Sequence, residues 1–356
     1  MLMRNHSHLW PGVPYAVGAA ILFGATTPLA KFLLGTISPW MLAGIFYFAA
    51  GLGLLGWRLL RSAAGNASQE AGLRRAEVPW LLAVVIFGGL IGPVLLMFGL
   101  TLTTAGNASL LLNLEGLATM LIAWIVFREN VDRCLLLGAA AILCGAVVLS
   151  WDGSGVRIDM GAMLIAGACL AWGIDNNLTR KLSAADPVEI AMVKGLVAGS
   201  VNLGLAASAG AGLPPPNILV LAGLVGLFGI GVSLVMFMLG LRHLGAARTG
   251  AYFSLAPFIG AVLAIVLLGE AFTWQLGLAG ILMMAGTWLH VRERHEHFHT
   301  HAPAEHEHMH AHDAHHQHAH ATGMDPTAPH SHPHRHAALT HSHVHFPDIH
   351  HRHEHE

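Results

Sequence analysis

Charge is scarce in this sequence. Asp, Glu, Lys and Arg make up 11% of its 356 residues, against about 25% in an ordinary soluble domain. Cysteine is nearly absent as well. Cys134, Cys144 and Cys169 all fall inside apolar runs without CxxC spacing, which excludes a disulfide scaffold and a thiolate metal site and leaves buried, reduced thiols. There is no phosphate-binding glycine loop, no zincin helix and no nucleophile elbow, so the chain does not read as an enzyme. Its few basic residues are scattered rather than clustered, which excludes nucleic acid as a partner. Trp10 and Pro11 lead directly into a long apolar run with no small-residue cleavage site, so no cleavable signal peptide is expected.

What is present is apolar length. Hydrophobic residues reach 54%, and they are unevenly spread. Residues 1–293 are almost continuously apolar, whereas 295–356 hold no apolar run and 23 of the 27 histidines. A spanning helix needs about 20 predominantly apolar residues. Such stretches lie at roughly 13–34, 39–57, 79–100, 105–127, 134–151, 160–178, 187–208, 217–241, 250–268 and 274–291. The expected fold class is therefore an all-α integral membrane protein with ten transmembrane helices. With the N-terminus inside, Arg4, Arg58, Arg61, Arg74, Arg75, Arg128, Arg133, Arg180, Lys181, Arg242, Arg248, Arg292 and Arg294 all flank the inner face, and Arg157 stands alone outside. The positive-inside bias thus places both termini in the cytoplasm and the protein in the inner membrane, with the bilayer as its first partner.

The first half recurs in the second. Residues 99–129, GLTLTTAGNASLLLNLEGLATMLIAWIVFRE, match 240–270, GLRHLGAARTGAYFSLAPFIGAVLAIVLLGE, at an offset of 141. Gly99 meets Gly240, Ala105 meets Ala246, Leu114 meets Leu255 and Glu129 meets Glu270. Phe23-Gly24 likewise matches Trp172-Gly173, and Pro39 matches Pro187. With five spans in each copy, the second enters the membrane upside down. Inverted repeats of this kind are the plan of secondary transporters, which hold solute between the halves.

FGATTPLAK in the first span, LNLEGLATMLIAWIVFRE in the fourth and FSLAPFIGAVLAIVLLGE in the ninth resemble the EamA-type transporters of the drug/metabolite transporter superfamily. The resemblance covers about 13–293. It implies a first five-helix repeat at 13–151 and a second at 157–293, between a cytoplasmic N-terminus at 1–12 and a His-rich tail at 294–356. It also implies export of a small solute by alternating access, without a required cofactor, and leaves a homodimer as a candidate assembly. The family's usual Glu-Pro of the fourth helix is here Glu115-Gly116. The Arg it often carries in the second helix is replaced by Phe46, and the equivalent position of the seventh is Lys194.

Ionisable residues at membrane depth are costly, about 2.5–3.5 kcal/mol on insertion scales, and default to functional hypotheses. Glu115, near the middle of the fourth span with Asn107 two turns earlier, suits proton coupling or cation recognition. The competing reading is a carboxylate that only bonds a neighbouring helix. Lys194 either snorkels inward or pairs with Glu115 across the halves. Asp175, Asn176 and Asn177 interrupt the sixth span where the first has Thr26, Thr27 and Pro28, and polar breaks at matched positions mark binding sites in such folds. Candidate solute-binding residues are therefore Glu115, Asn107, Lys194, Asp175, Asn176 and Thr27, with Trp172 and Tyr252 as lower-ranked lining. No span carries the paired His and Asp ligands a dehydrated metal ion would want, which tilts the cargo toward an amino-acid-like metabolite over a transition metal.

From His295 onward the chain alternates His with other residues. Low hydrophobicity with interspersed Pro and Gly argues a disordered tail. Imidazoles at His295, His297, His299, His301, His306, His308, His310, His312, His341, His343, His345, His350, His351 and His353 suit a divalent metal such as Ni, Zn or Co. The alternative function is accordingly a metal-responsive or metal-buffering membrane protein whose spans do not transport.

Overall fold

A computed structural model describes residues 12–65, 72–127, 131, 133–151, 159–179, 182, 186–244, 246–292, 295–301, 304–310, 330–336 and 339–345. Arg4, Arg128, Glu129, Arg157, Arg180, Lys181, Arg294, His312, His350, His351 and His353 lie outside the described residues, as do the expectations placed on them.

Prolines and short polar side chains start many of the helices. The first, α1, is Gly12–Leu33, and α2, Pro39–Ala63, opens on a proline whose missing N–H costs nothing in a first turn. A composite α3 runs through a 3-10 turn at Arg75–Glu77, helix at Val78–Val84, a π-helical stretch at Val85–Ile91 and helix again at Gly92–Leu102. Thr104 then accepts from the Asn107 N–H to cap α4, which consists of Ala105–Leu111 and Leu114–Phe127. Next come α5, Arg133–Leu149, and α6, Met160–Thr179, whose start is capped by Asp159 accepting from Ala162 N–H at 2.6 Å. Asp186 and Pro187 open α7, Pro187–Ser208. Like α3, α8 contains a π-helical stretch: Pro216–Gly226, Leu227–Val232, Ser233–Leu244. Like α4, α9 is broken, into Ala246–Phe253 and Ala256–Leu268. The helical region ends with α10, Trp274–Arg292.

The two breaks have local causes. In α4 the Asn113 amide donates to Leu110 O at 2.8 Å, and the backbone tightens to Asn113 N→Leu110 O and Glu115 N→Leu112 O, both 3.0 Å. In α9, Pro257 in the first turn of the second segment has no N–H for the preceding turn.

Among the described residues, seven of these rods are long and apolar enough to cross a membrane: α1 to α4 and α7 to α9. Arg133–Leu149 is apolar but shorter. Apolar side chains face outward on a scale a soluble protein does not show, with Ile125 and Val266, which match across the 141-residue offset, each 70% exposed. Multi-pass insertion in a bilayer follows.

Helices approach through small residues, as expected where lipid removes the hydrophobic drive between them. The α2–α7 seam is set by Gly51, Gly195 and Gly199; a Cβ on Gly195 would stand 2.8 Å from Tyr47 O. Gly138 and Gly286 do the same between α5 and α10. α1 packs on α8 and α9, while α6 packs on α3 and α4. Phe46, Leu33, Leu42, Leu100 and Ile165 lie fully buried in the main core.

In the tail, the described segments His295–His301 and Leu339–His345, and Ala304–His310 and His330–His336, run as two antiparallel ladders. Strict alternation has the two-residue period of a strand, and the tail has no apolar period to favour a helix.

Candidate functional site

The break in α4 places Glu115 in the first turn of the segment Leu114–Phe127, where the helix dipole favours a carboxylate. Its Oε1 accepts from the Asn176 amide on α6 at 2.9 Å. The same amide donates to Thr119 Oγ1 at 3.2 Å, and Thr119 Oγ1 donates back to Glu115 O at 2.9 Å. Asn177, buried beside them, donates to Thr119 O at 3.0 Å and Gly173 O at 2.9 Å. The α4–α6 contact is close enough for this because of Gly173, whose added Cβ would sit 2.9 Å from Ala118 Cβ.

One turn along the cluster, Lys194 Nζ on α7 meets Asp175 Oδ2 at 2.5 Å, with the two side chains 19% and 6% exposed. They pack against the π-helical stretch of α3. Gly88 lies there because a Cβ would strike the Asp175 carboxylate and come within 2.6 Å of Lys194 Nζ. The Gly88 carbonyl accepts from Tyr47 Oη at 2.8 Å and from Trp172 Nε1 at 3.1 Å. π-Helical turns displace carbonyls from their regular partners and recur at functional sites. The cluster therefore joins Tyr47, Gly88, Glu115 and Thr119 of the first half to Trp172, Asp175, Asn176 and Lys194 of the second. Its formal charge is two carboxylates against one ammonium, and the described partner of Glu115 is a neutral amide.

Five of the eight candidate residues come together here: Glu115, Asp175, Asn176, Lys194 and Trp172. The expected Lys194–Glu115 pair does not form; Asp175 takes Lys194, and Asn176 takes Glu115. Asn107 is elsewhere, lining a cavity of about 300 Å³ with Thr103, Ser150 and Asp159. Thr27 is buried in α1 and Tyr252 lies in the first segment of α9. Tyr47, Gly88 and Thr119 were not among the candidates. Tyr47 carried one usable signal, a polar tip adjacent to Phe46 in an otherwise apolar helix. Lys31 donates to Leu100 O at 2.6 Å and so caps the end of α3. No three His, Cys, Asp or Glu side chains converge as a metal site among the described residues of the helical region.

An apolar multi-helix bundle with a charged cluster contributed by both of its halves is the build of a membrane transporter. The model of the EamA-like transporter family matches this chain twice, at residues 10–151 and 159–292, and the chain belongs to that family. It is 32% identical over 295 residues to an uncharacterized transporter of Methanothermobacter thermautotrophicus, covering 79% of this chain and 86% of that one. It is 25% identical over 255 residues to the uncharacterized transporter YyaM of Bacillus subtilis, covering 68% and 81%. A probable terminal-alkyne amino-acid exporter of Streptantibioticus cattleyicolor is 26% identical over 251 residues, covering 67% and 84%. A protein of known crystal structure shares the fold, with a TM-score of 0.57 and 20% identity over 77% of this chain and 94% of that one. The chain is thus a transporter of the drug/metabolite type, a family of membrane transporters.

Proposed function

We propose that this protein exports a small zwitterionic, amino-acid-like solute across the inner membrane by alternating access of two inverted five-helix halves. The observation that carries the reading is the cluster of Glu115, Asp175 and Lys194 at the junction of the halves. A zwitterion presents a carboxylate for Lys194 and an ammonium for Glu115 and Asp175. Its arrival exchanges the internal Lys194–Asp175 pair for two intermolecular ones, so little charge is left uncompensated. The bound solute then touches residues of both halves, which is what couples its binding to their relative motion.

Inversion is supported by the repeated contact pattern, α1 with α8 and α9 against α6 with α3 and α4, and by the matched π stretches and breaks. In this reading α5, α6 and α10 complete ten spans, and the arginine bias puts both termini inside. The relative named as an amino-acid exporter supports the solute class.

The test is flux of radiolabelled amino acids, including ones with unsaturated side chains, in proteoliposomes of the full chain. Saturable uptake that a second amino acid inhibits supports the proposal. Absence of flux for every zwitterion, with flux for a purely cationic or uncharged solute, sinks it.

A second reading is favoured by the strand register. His295, His297 and His299 stand opposite His345, His343 and His341, and His306, His308 and His310 opposite His334, His332 and His330. The register brings histidines that are distant in sequence to opposed positions, and imidazole is a good ligand for divalent transition metals. The tail then buffers or senses Ni, Zn or Co alongside transport. Isothermal titration of the full chain with nickel, with and without 295–356, tests it; equal binding by both forms would remove the tail from metal chemistry.

A further inference from the structure

Remote from the central cluster, one carboxylate ties the two halves together end to end. Glu270, just past α9, accepts at Oε1 from the Ala105 N–H at 2.6 Å and at Oε2 from the Gly106 N–H at 2.8 Å, across 165 and 164 residues of sequence. These two amides open α4 and have no partner within their own helix. The dipole of that helix adds to the attraction.

Both sides of the contact are shaped for it. Gly269 takes φ +67°, the left-handed conformation that ends α9. Its N–H donates to Ile265 O at 3.1 Å and that of Glu270 to Ala264 O at 3.5 Å, so the carboxylate leaves from a capped helix end rather than a free loop. Opposite, a Cβ on Gly106 would stand 3.1 Å from Glu270 Oε2 and 3.5 Å from Leu276 Cδ2, so the glycine lets the carboxylate reach both amides. Beside this helix start lies the cavity of about 300 Å³, lined by Thr103, Asn107 and Leu111 of the α3–α4 turn and α4 and by Leu149 and Ser150 at the end of α5. Leu111, six residues further along α4, is 4% exposed.

We propose that Glu270 is the positioning residue of a gate. With its carboxylate on the two amides, α9 of the second half holds the start of α4 in the first, and this end of the bundle is shut. When the carboxylate lets go, α4 and α9 separate and the cavity along α4 opens toward the interior. Two bonds to a charged acceptor hold a closed state firmly, and both are lost together when the helix ends part. The gate presupposes the alternating-access reading, but its state is measurable without any solute.

The experiment uses the full chain in detergent, with Cys134, Cys144 and Cys169 replaced by Ser and Leu111→Cys as reporter. Modification by a polar maleimide is timed with Glu270 present and in E270D, E270Q and E270A. Gln keeps one acceptor oxygen and presents an NH₂ to the second amide. The expected result is reporter modification about tenfold faster in E270Q, at least as fast in E270A and near the parent rate in E270D, with a reference cysteine at exposed Ser208 reacting equally in all four. Equal reporter rates across the four variants, in protein that elutes as one folded species, overturn the proposal. In proteoliposomes E270Q should change the maximal rate of flux more than KM; a change confined to KM also counts against a gate. Should the parent itself show no flux, the transport reading fails while the labelling result still decides whether Glu270 is a latch.

Discussion

Lys194 and Asp175 offer a way to separate holding the fold from moving solute. Removing one partner of a buried pair leaves an uncompensated charge, at a cost of about 3–5 kcal/mol, whereas replacing both with apolar residues of similar volume is often neutral. Lys194→Met should therefore lower the thermal midpoint in detergent sharply, and the double variant Lys194→Met, Asp175→Leu should recover most of it. Neither should transport a zwitterion. Flux in the double variant would show that the pair is structural only. Glu115→Gln is the milder probe: Asn176 keeps an oxygen to bond, so the protein should fold and melt near the parent value while flux falls by about a hundredfold, the scale expected of a lost charged contact. Near-normal flux would remove Glu115 from the mechanism.

These residues were half legible in the chain. An ionisable residue in an apolar run announces itself, so Glu115, Asp175 and Lys194 could be picked out without a structure. Their pairing could not. Lys194 has a flexible four-carbon stem, and the choice between Glu115 and Asp175 depends on how α6 and α7 are rotated against α3 and α4. Gly88 was invisible as a site residue because its part is played through a backbone carbonyl, which carries no sequence signature, and Tyr47 offered only its polar tip.

At the scale of elements, the informative features are the irregular ones. Breaks at Asn113 and ahead of Pro257, and π stretches at Val85–Ile91 and Leu227–Val232, occur at matched places in the two halves. Polar Asn113 and Pro257 are local signals that a sequence reading can use, whereas nothing in VIFGGLI marks a π-helix beyond its two glycines. The left-handed Gly269 is a second such feature. Gly269→Ala should cost about 1–2 kcal/mol from the backbone alone, readable by thermal unfolding. It should also speed modification of the Leu111→Cys reporter, because Glu270 can no longer be presented to both amides. At the α2–α7 seam, Gly199→Val meets the backbone of Phe48, which cannot move cheaply. A destabilisation of about 1–3 kcal/mol is expected, and an unchanged melting temperature would mean that the seam is looser than its geometry.

For the whole molecule, the proposed reading makes the helical region and the tail separate functional parts. Deleting 295–356 should leave insertion and solute flux intact and remove most nickel or zinc binding, measured by metal content after dialysis. Loss of insertion would contradict that separation. The helix-rich half of the expectation was the easy one. In the tail, composition argues for disorder, while the register of the described segments sets His against His.

Membrane insertion, the duplication and the arginine asymmetry can be read in one dimension because each is a property of runs, counts and offsets along the chain, and burial in lipid depends on those alone. Which polar groups meet is a property of helix rotation and of approach distances set by glycines on different helices. Only packing in three dimensions brings Lys194 to Asp175, the Asn176 amide to Glu115 and the Glu270 carboxylate to the amides of Ala105 and Gly106, since each contact requires two helix ends or faces distant in sequence to arrive within about 3 Å of one another.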